Sequence, residues 1–234
     1  MTGLVRLGST WVLDLRRQAQ EGFWLVALLA GLVVAALLTA LGPLPRGWWP
    51  VVVAGELTIT SFMFAAVQVA RERGDGTLPA RAVTPLRAGE YLAALAGSLT
   101  LLGVAETGVL VLAGYGRPSS WWWLGLGVAM TSVLLVLYGV VAVAGYESVT
   151  AFLLPSGAWT AVLAVPLLPY LGGPGGWWLW LHPLQPALAL VDAGFGEPTV
   201  RVWPSLLLGT AWCLALGALA RRRLARAVVP QGAR

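Results

Sequence analysis

The chain has 234 residues, of which 58% are hydrophobic and 11% are charged, and its formal net charge is +5. Its mean hydropathy of +0.79 is far above that of soluble proteins. These values exclude a soluble globular domain and predict a membrane protein with several spans. The positive charge needs no nucleic acid as a partner, because arginines beside anionic lipid explain it.

Residues 1–21 predict an amphipathic helix lying on the inner membrane surface. Charged residues such as Asp14 and Arg16 interrupt the apolar core that a cleaved signal peptide would need. Apolar residues recur at helical spacing on one side: Leu4, Leu7, Trp11 and Leu15. This pattern is typical of an interfacial helix. A frayed basic leader is the alternative.

Six apolar runs are long enough to cross a bilayer, which takes about 20 residues of helix. They are separated by polar residues, Gly and Pro, and cover Gly22–Leu41, Trp49–Ala70, Tyr91–Gly114, Trp121–Ala144, Val149–Tyr170 and Pro204–Ala220. We therefore predict an all-α integral membrane protein with six transmembrane helices. Residues 1–234 form a single transmembrane domain in this interpretation.

The arginines predict the orientation, because cytoplasmic loops hold the excess of positive charge. All 15 basic residues are Arg, and with both termini in the cytoplasm 12 of them lie on that side. The three on the outer side are Arg46, Arg117 and Arg201. A seventh span through Trp177–Phe195 would move the basic C-terminus outside, so we exclude it.

The polar segment Arg71–Glu90 is longer than a plain connection between two helices requires. Its apolar patch, Leu78–Val83, is too short to cross a membrane. Thr84 can cap a helix, and Pro85 suits the first helical position. We predict a bent, partly apolar helix at the cytoplasmic surface that docks a soluble partner. A surface-lying loop helix without a partner is the alternative.

The segment "ERGDGTLPARAVTPLRAGEYL" resembles the loop between spans two and three of type-2 ABC export permeases. That family shows E-x-x-x-G-T-L, then V-T-P, then an acidic residue before span three. The matching residues are Glu72, Gly76, Thr77, Leu78, Val83, Thr84, Pro85 and Glu90. "LHPLQPALALVDAGFG" is more weakly similar to a segment before their last span. The sequence "TPLRAGEYLAAL" is most similar to that of permeases assigned to fluoroquinolone-type drug export. Pro79 and Ala80 depart from the pattern and predict a shorter first half of the coupling helix.

The resemblance implies a permease subunit in the plasma or inner membrane that works with a separate ATPase subunit and with a second permease copy or a paralogue. ATP and Mg²⁺ would be bound by the ATPase, with no cofactor in this chain. Independently, the chain has no lysine, so it lacks a P-loop of its own. The residues implied in ATPase coupling are Leu78, Val83, Thr84, Pro85, Leu86, Arg87 and Glu90. Glu147 is either a second contact with the ATPase or a charge favoured at a helix start.

Glu56 and Glu106 lie at matched depths, roughly 10 to 12 Å below the outer boundary by helix rise. Intramembrane carboxylates are costly and indicate function. With Phe62 and Phe64 they predict a pathway for a hydrophobic, aromatic, cationic small molecule. Three alternatives stay open: Glu56 caps a helix that starts near Leu57, Glu106 bonds a neighbouring Ser or Thr, or the two glutamates pair across a dimer.

The outer segment Leu171–Trp203 opens with "GGPGG" and is irregular. Such backbone at membrane depth must be covered by protein or line a cavity, so we predict short re-entrant or interfacial helices. Prolines predict a kinked fifth span; they are Pro155, Pro166 and Pro169.

Other classes of protein fit less well. An intramembrane serine protease would need Ser156 and His182, which helix rise places about 25 Å apart. One His, one Cys and scattered carboxylates form no metal cluster. We therefore predict no enzymatic activity in this chain. A membrane assembly or anchor protein and a lipid exporter remain as alternatives.

Overall fold

The computed structural model describes residues 3–42, 44–77, 87–197 and 201–228, and every regular element in these residues is a helix. Six helices are long and apolar enough to span a membrane, and we number them in chain order as spans one to six: Phe23–Leu41, Arg46–Gly74, Ala88–Gly114, Trp121–Val143, Val149–Leu171 and Val202–Arg226. The all-α, six-span fold predicted from the sequence is thus confirmed. The last helix continues to Val228, past the predicted end at Ala220, because arginine and alanine are good helix formers.

Two spans change helix type along their length. The second begins with the 3₁₀ turn Arg46–Trp48 and continues as α-helix Trp49–Leu57, π-helix Thr58–Met63 and α-helix Phe64–Gly74. The fifth is α-helical over Val149–Ala164 and becomes a 3₁₀ helix. That 3₁₀ part, Val165–Leu171, contains two of the three prolines that predicted a distortion of this span.

Spans two, three and four form the interior of the bundle. In the 18-residue hydrophobic stretch of these three spans, 56%, 56% and 72% of the residues are buried. The corresponding shares in spans one, five and six are 17%, 22% and 17%. The peripheral spans present large apolar side chains outward, and Leu154 of the fifth is 91% exposed. The functional groups of the interior therefore lie between spans two, three and four.

The outer segment before the last span folds into the 3₁₀ turn Trp177–Leu181 and the helix Gln185–Phe195. With 11 residues, this outer helix is too short to cross a bilayer, which agrees with six spans. It packs closely against the fourth span at two glycines. A Cβ atom at Gly127 would lie 2.6 Å from Val191 N, and one at Gly194 would lie 2.6 Å from Leu124 Cβ. The outer helix is thus covered by protein on most of its surface.

The N-terminal helix, Gly3–Gln20, packs along the third span. A Cβ atom at Gly97 would lie 3.2 Å from Trp11 Nε1, so glycine permits this approach. Gln18 is 1% exposed and its Nε2 donates to Ser98 Oγ over 2.8 Å. Asp14 is buried too, while Leu13 is 62% exposed. The predicted helix is present, but part of its buried face is polar, because the third span offers polar partners there.

Candidate coupling site and intramembrane carboxylate pair

Ion pairs join the N-terminal helix to both ends of the loop between spans two and three. We call this group the basal cluster; it consists of Arg6, Arg17, Glu21, Arg71, Glu72 and Glu90. Arg6 Nη2 lies 2.9 Å from Glu90 Oε1, after the loop. Arg17 Nη1 lies 3.2 Å from Glu72 Oε1, before the loop. Arg71 Nη1 lies 2.9 Å from Glu21 Oε2. One short helix therefore holds the loop at its entrance and at its exit.

Glu72 is the most buried member of the basal cluster, with 3% of its surface exposed. Its second carboxylate oxygen accepts a hydrogen bond of 3.0 Å from Tyr91 Oη at the start of the third span. A buried carboxylate needs such partners, because an uncompensated charge would be strongly destabilising. Glu72 thus ties span two to span three directly at the base of the loop.

The middle of the predicted coupling loop, residues 78–86, lies outside the described residues, and with it the predicted contacts Leu78, Val83, Thr84, Pro85 and Leu86. The third span begins at Ala88 just after it. Arg87 N donates to Glu90 Oε2 over 2.9 Å, so Glu90 caps the helix start as well as binding Arg6.

A second loop reaches the same end of the bundle. Arg73 Nη1 donates to the carbonyl oxygens of Tyr146, at 2.6 Å, and Ala144, at 3.3 Å. These carbonyls follow the end of the fourth span, where free acceptors need partners. Glu147 is exposed beside them. The two segments predicted to contact an ATPase are therefore bridged by Arg73.

A small charged cavity of about 80 Å³ lies beside the basal cluster. Its lining is Arg17, Glu21, Gln68, Arg71, Glu72, Asp75 and Thr77. Both amide atoms of Gln68 are buried here without a protein partner. A polar cavity of this size suits a few water molecules, which would satisfy that amide.

The structure brings Glu56 and Glu106 together inside the bundle. Glu106 is 0% exposed and Glu56 is 7% exposed. The Glu106 carboxyl group interacts with the Glu56 carboxyl group and the Thr60 hydroxyl, but neither of its oxygens makes a hydrogen bond of good geometry. Thr60 Oγ1 donates instead to the Glu56 carbonyl over 3.2 Å. Gly31 of the first span packs against Glu106, since a Cβ atom there would lie 3.3 Å from the Glu106 carbonyl oxygen and 3.4 Å from its Cγ.

The two phenylalanines named with these carboxylates have different neighbours. Phe62 is 0% exposed, and its ring centroid lies 5.8 Å from that of Tyr138 and 6.2 Å from that of Phe152. Phe64 instead packs on Phe23 of the first span, at 4.6 Å. The structure thus brings the carboxylates together and does not place the two rings on one wall.

The π-helical segment of span two follows Glu56 along the chain and leads toward the end of the bundle that holds the basal cluster. It packs tightly on the fourth span, because a Cβ atom at Gly139 would lie 2.6 Å from the Phe62 carbonyl oxygen. Ser61 Oγ and Ser132 Oγ are 2.7 Å apart and share a hydrogen bond across the same contact. π-Helical turns inside α-helices are frequent at functional sites. No local sequence signal marked this one.

Asp192 joins the outer helix to the end of the fifth span by accepting a hydrogen bond from the Tyr170 hydroxyl. Burial raises the pKa of Asp192 from 3.8 to about 7; the Tyr170 bond lowers this pKa and the nearby Glu197 raises it. Because the folded pKa exceeds the unfolded one, the contribution of Asp192 to stability is fully present below pH 3.8. It is lost as the pH rises through about 7.

Ser156 and His182 do not form a hydrogen-bonded dyad. Ser156 Oγ donates to Leu153 O over 2.6 Å. His182 Nδ1 accepts from Leu184 N at 3.2 Å, so its Nε2 carries the proton and donates to Val162 O at 3.1 Å. Burial lowers the pKa of His182, and the bond to Val162 opposes this. The predicted separation of about 25 Å was wrong, since Val162 is about 9 Å of helix rise from Ser156. The outer segment folds back along the fifth span.

Comparison with known proteins identifies the family. The model of the fluoroquinolones export permease protein family matches residues 5–232. Two relatives from Mycobacterium tuberculosis are each 31% identical to this chain over 213 residues. They are the fluoroquinolones export permease proteins MT2761 (strain CDC 1551 / Oshkosh) and Rv2687c (strain ATCC 25618 / H37Rv). These alignments cover 86% of this chain and 85% of each relative. The chain therefore belongs to the fluoroquinolones export permease protein family.

Proposed function

We propose that this chain is the permease subunit of an ATP-driven ABC exporter whose ATPase is a separate subunit. The family and the six spans support a membrane permease, and the absence of lysine removes a P-loop from this chain. The chain itself performs no catalysis in this proposal. Both termini lie in the cytoplasm, in the plasma or inner membrane, and a second permease copy or a paralogue completes the pathway.

The observation that carries the proposal is the basal cluster. The N-terminal helix contacts Glu72 before the loop and Glu90 after it. A force on residues 78–86 therefore reaches spans two and three together instead of bending a free loop. A plain connection between helices needs no such bracing. A loop that is held at both ends by ion pairs is suited to transmit the movement of a bound partner to the spans.

We further propose that Glu56 and Glu106 favour a cationic, aromatic substrate. Two carboxylates that interact in a low dielectric repel each other when both are charged, so a bound cation or a proton stabilises the pair. Both relatives are named as exporters of fluoroquinolones, which are aromatic and carry a basic amine as well as a carboxylate. In this structure Gly31 packs against Glu106, so access to Glu106 from the side of the first span requires that span to move.

The substrate proposal is tested in a drug-sensitive host that expresses the permease with an ABC ATPase. Glu106→Gln, which keeps the shape of the side chain, is compared with wild type on cationic and neutral aromatic compounds of equal size. We expect efflux of the cationic compounds to fall at least tenfold and efflux of the neutral ones to change little. Equal losses for both classes, or none, would leave Glu106 as a structural carboxylate.

Copurification tests the ATPase partner. Tagged permease should retain the ATPase in detergent, and the variant Leu86→Asp should lose it, because a desolvated, unpaired charge destabilises an apolar contact. Retention of the ATPase with normal efflux would contradict docking through this loop.

The second candidate function is lipid export. If it is correct, the same complex should move labelled lipid and should not move the drug.

A further inference from the structure

A lateral groove of about 390 Å³ lies between spans three, four and six, at the arginine-rich end of the bundle. Its walls include Gly89 and Ala93 of the third span, Leu137 of the fourth and Gly217 of the sixth. Apart from Arg221, every lining residue is apolar, a glycine or the cysteine. With so few hydrogen-bonding groups in its walls, the groove suits hydrocarbon better than a polar molecule.

The groove runs along the membrane normal for most of one leaflet. On the sixth span its lining extends from Cys213 to Arg221, which is about 12 Å of helix rise. The hydrocarbon of one leaflet is half of a core of about 30 Å. The length therefore matches one acyl chain that enters at Arg221 and ends near Cys213.

Arg221 places positive charge at the mouth of this groove. Its side chain is exposed, and among the described residues no carboxylate pairs with it. Glu90, next to Gly89 in the wall, is already bound by Arg6 and by the Arg87 amide. A guanidinium at the membrane surface attracts lipid phosphate, and this attraction is stronger for a headgroup with a net negative charge.

We propose that this groove binds an anionic phospholipid of the leaflet at the arginine-rich end, with one acyl chain between spans three, four and six and its phosphate on Arg221. Small residues in the walls also suit a packed helix from a second copy of the chain. Arg221 favours the lipid, because a helix in the groove does not by itself supply the anion that this charge attracts. The proposal is independent of the transported substrate.

Native mass spectrometry of the delipidated full-length permease tests the proposal with phosphatidylglycerol and phosphatidylcholine of equal chain length. Wild type should bind one phosphatidylglycerol at least fivefold more tightly than phosphatidylcholine, the factor expected for about 1 kcal/mol per arginine. Arg221→Ala should abolish this preference. The matched control, Arg222→Ala, changes the neighbouring charge outside the groove and should keep it. Inorganic phosphate should not compete, since it cannot fill the groove.

Gly217→Leu tests the acyl-chain part separately. A Cβ atom at Gly217 makes only ordinary contact with Leu137 Cδ1, at 3.8 Å, so the fold tolerates a side chain that fills the groove. This variant should lose binding of both lipids at least fivefold while remaining monodisperse. Equal binding of the two lipids by wild type, or equal loss of preference in Arg221→Ala and Arg222→Ala, would overturn the proposal. So would a Gly217→Leu variant that keeps both lipids and changes only the oligomeric state, which would assign the groove to a second copy.

Discussion

The replacement Glu72→Gln tests whether the basal cluster transmits motion from the loop to the spans. The Glu72 side chain is 4% exposed and binds Arg17, whose side chain is 46% exposed, and Tyr91. The half-exposed Arg17 pair contributes about 1 kcal/mol or less because solvent screens it. The buried bond from Tyr91 loses about another 1 kcal/mol when its acceptor becomes neutral. The sum of about 2 kcal/mol lowers the unfolding temperature by roughly 4 to 8 °C in a chain of this size.

Thermal unfolding in detergent and drug efflux with the ATPase measure the two consequences. Glu21→Gln is the matched control, because Glu21 belongs to the same cluster but pairs with exposed arginines, with a cost of about 0.5 kcal/mol. Glu72→Gln should reduce efflux at least threefold while the ATPase still copurifies; Glu21→Gln should leave efflux unchanged. If the two variants unfold at the same temperature and transport equally well, the cluster does not transmit force.

Three further outcomes follow from the fold and the loop. Gly139→Ala should destabilise the protein by about 2 kcal/mol or more, because its methyl group meets the Phe62 carbonyl; Gly125→Ala, with nothing within 4 Å, should be near neutral in the same unfolding assay. The difference in unfolding temperature between wild type and Asp192→Asn should fall between pH 5 and pH 8, which separates Asp192 from His182, and a difference that rises with pH would contradict the raised pKa of Asp192. Leu78→Asp should uncouple efflux from ATP hydrolysis without loss of membrane insertion; normal coupled efflux would remove Leu78 from the docking surface.

The spans could be predicted because hydrophobic length alone determines which segments cross a bilayer. Each predicted run corresponds to one observed span, and the ends differ by at most six residues, the largest difference being at the sixth span, which continues past Ala220 to Arg226. Helix rise is also fixed, which is why counting residues from the span ends placed Glu56 and Glu106 at one level. Composition and helix geometry therefore gave the layout of the bundle and the level of its carboxylates.

The contacts between distant segments could not be predicted, because no local pattern encodes them. Arg6 and Glu90 are 84 residues apart, and nothing near either residue specifies the other. Gln18 is likewise buried on the N-terminal helix because its amide donates to the Ser98 hydroxyl of the third span, 80 residues away. The π-helix over Thr58–Met63 likewise depends on packing against the fourth span, which sequence periodicity does not record.

The chain path joins the basal cluster to the carboxylate pair through a single short connection. Glu21 ends the cluster, Gly22 turns the chain with φ 79°, a conformation that favours glycine, and the first span starts at the next residue. About 12 Å further along that span, Gly31 packs against Glu106. The first span contacts the interior along its buried small residues, Ala27, Gly31 and Ala35. A shift of the N-terminal helix with the loop would thus move Gly31 relative to Glu106, which gives the proposed coupling a physical route from the base of the loop to the buried carboxylates.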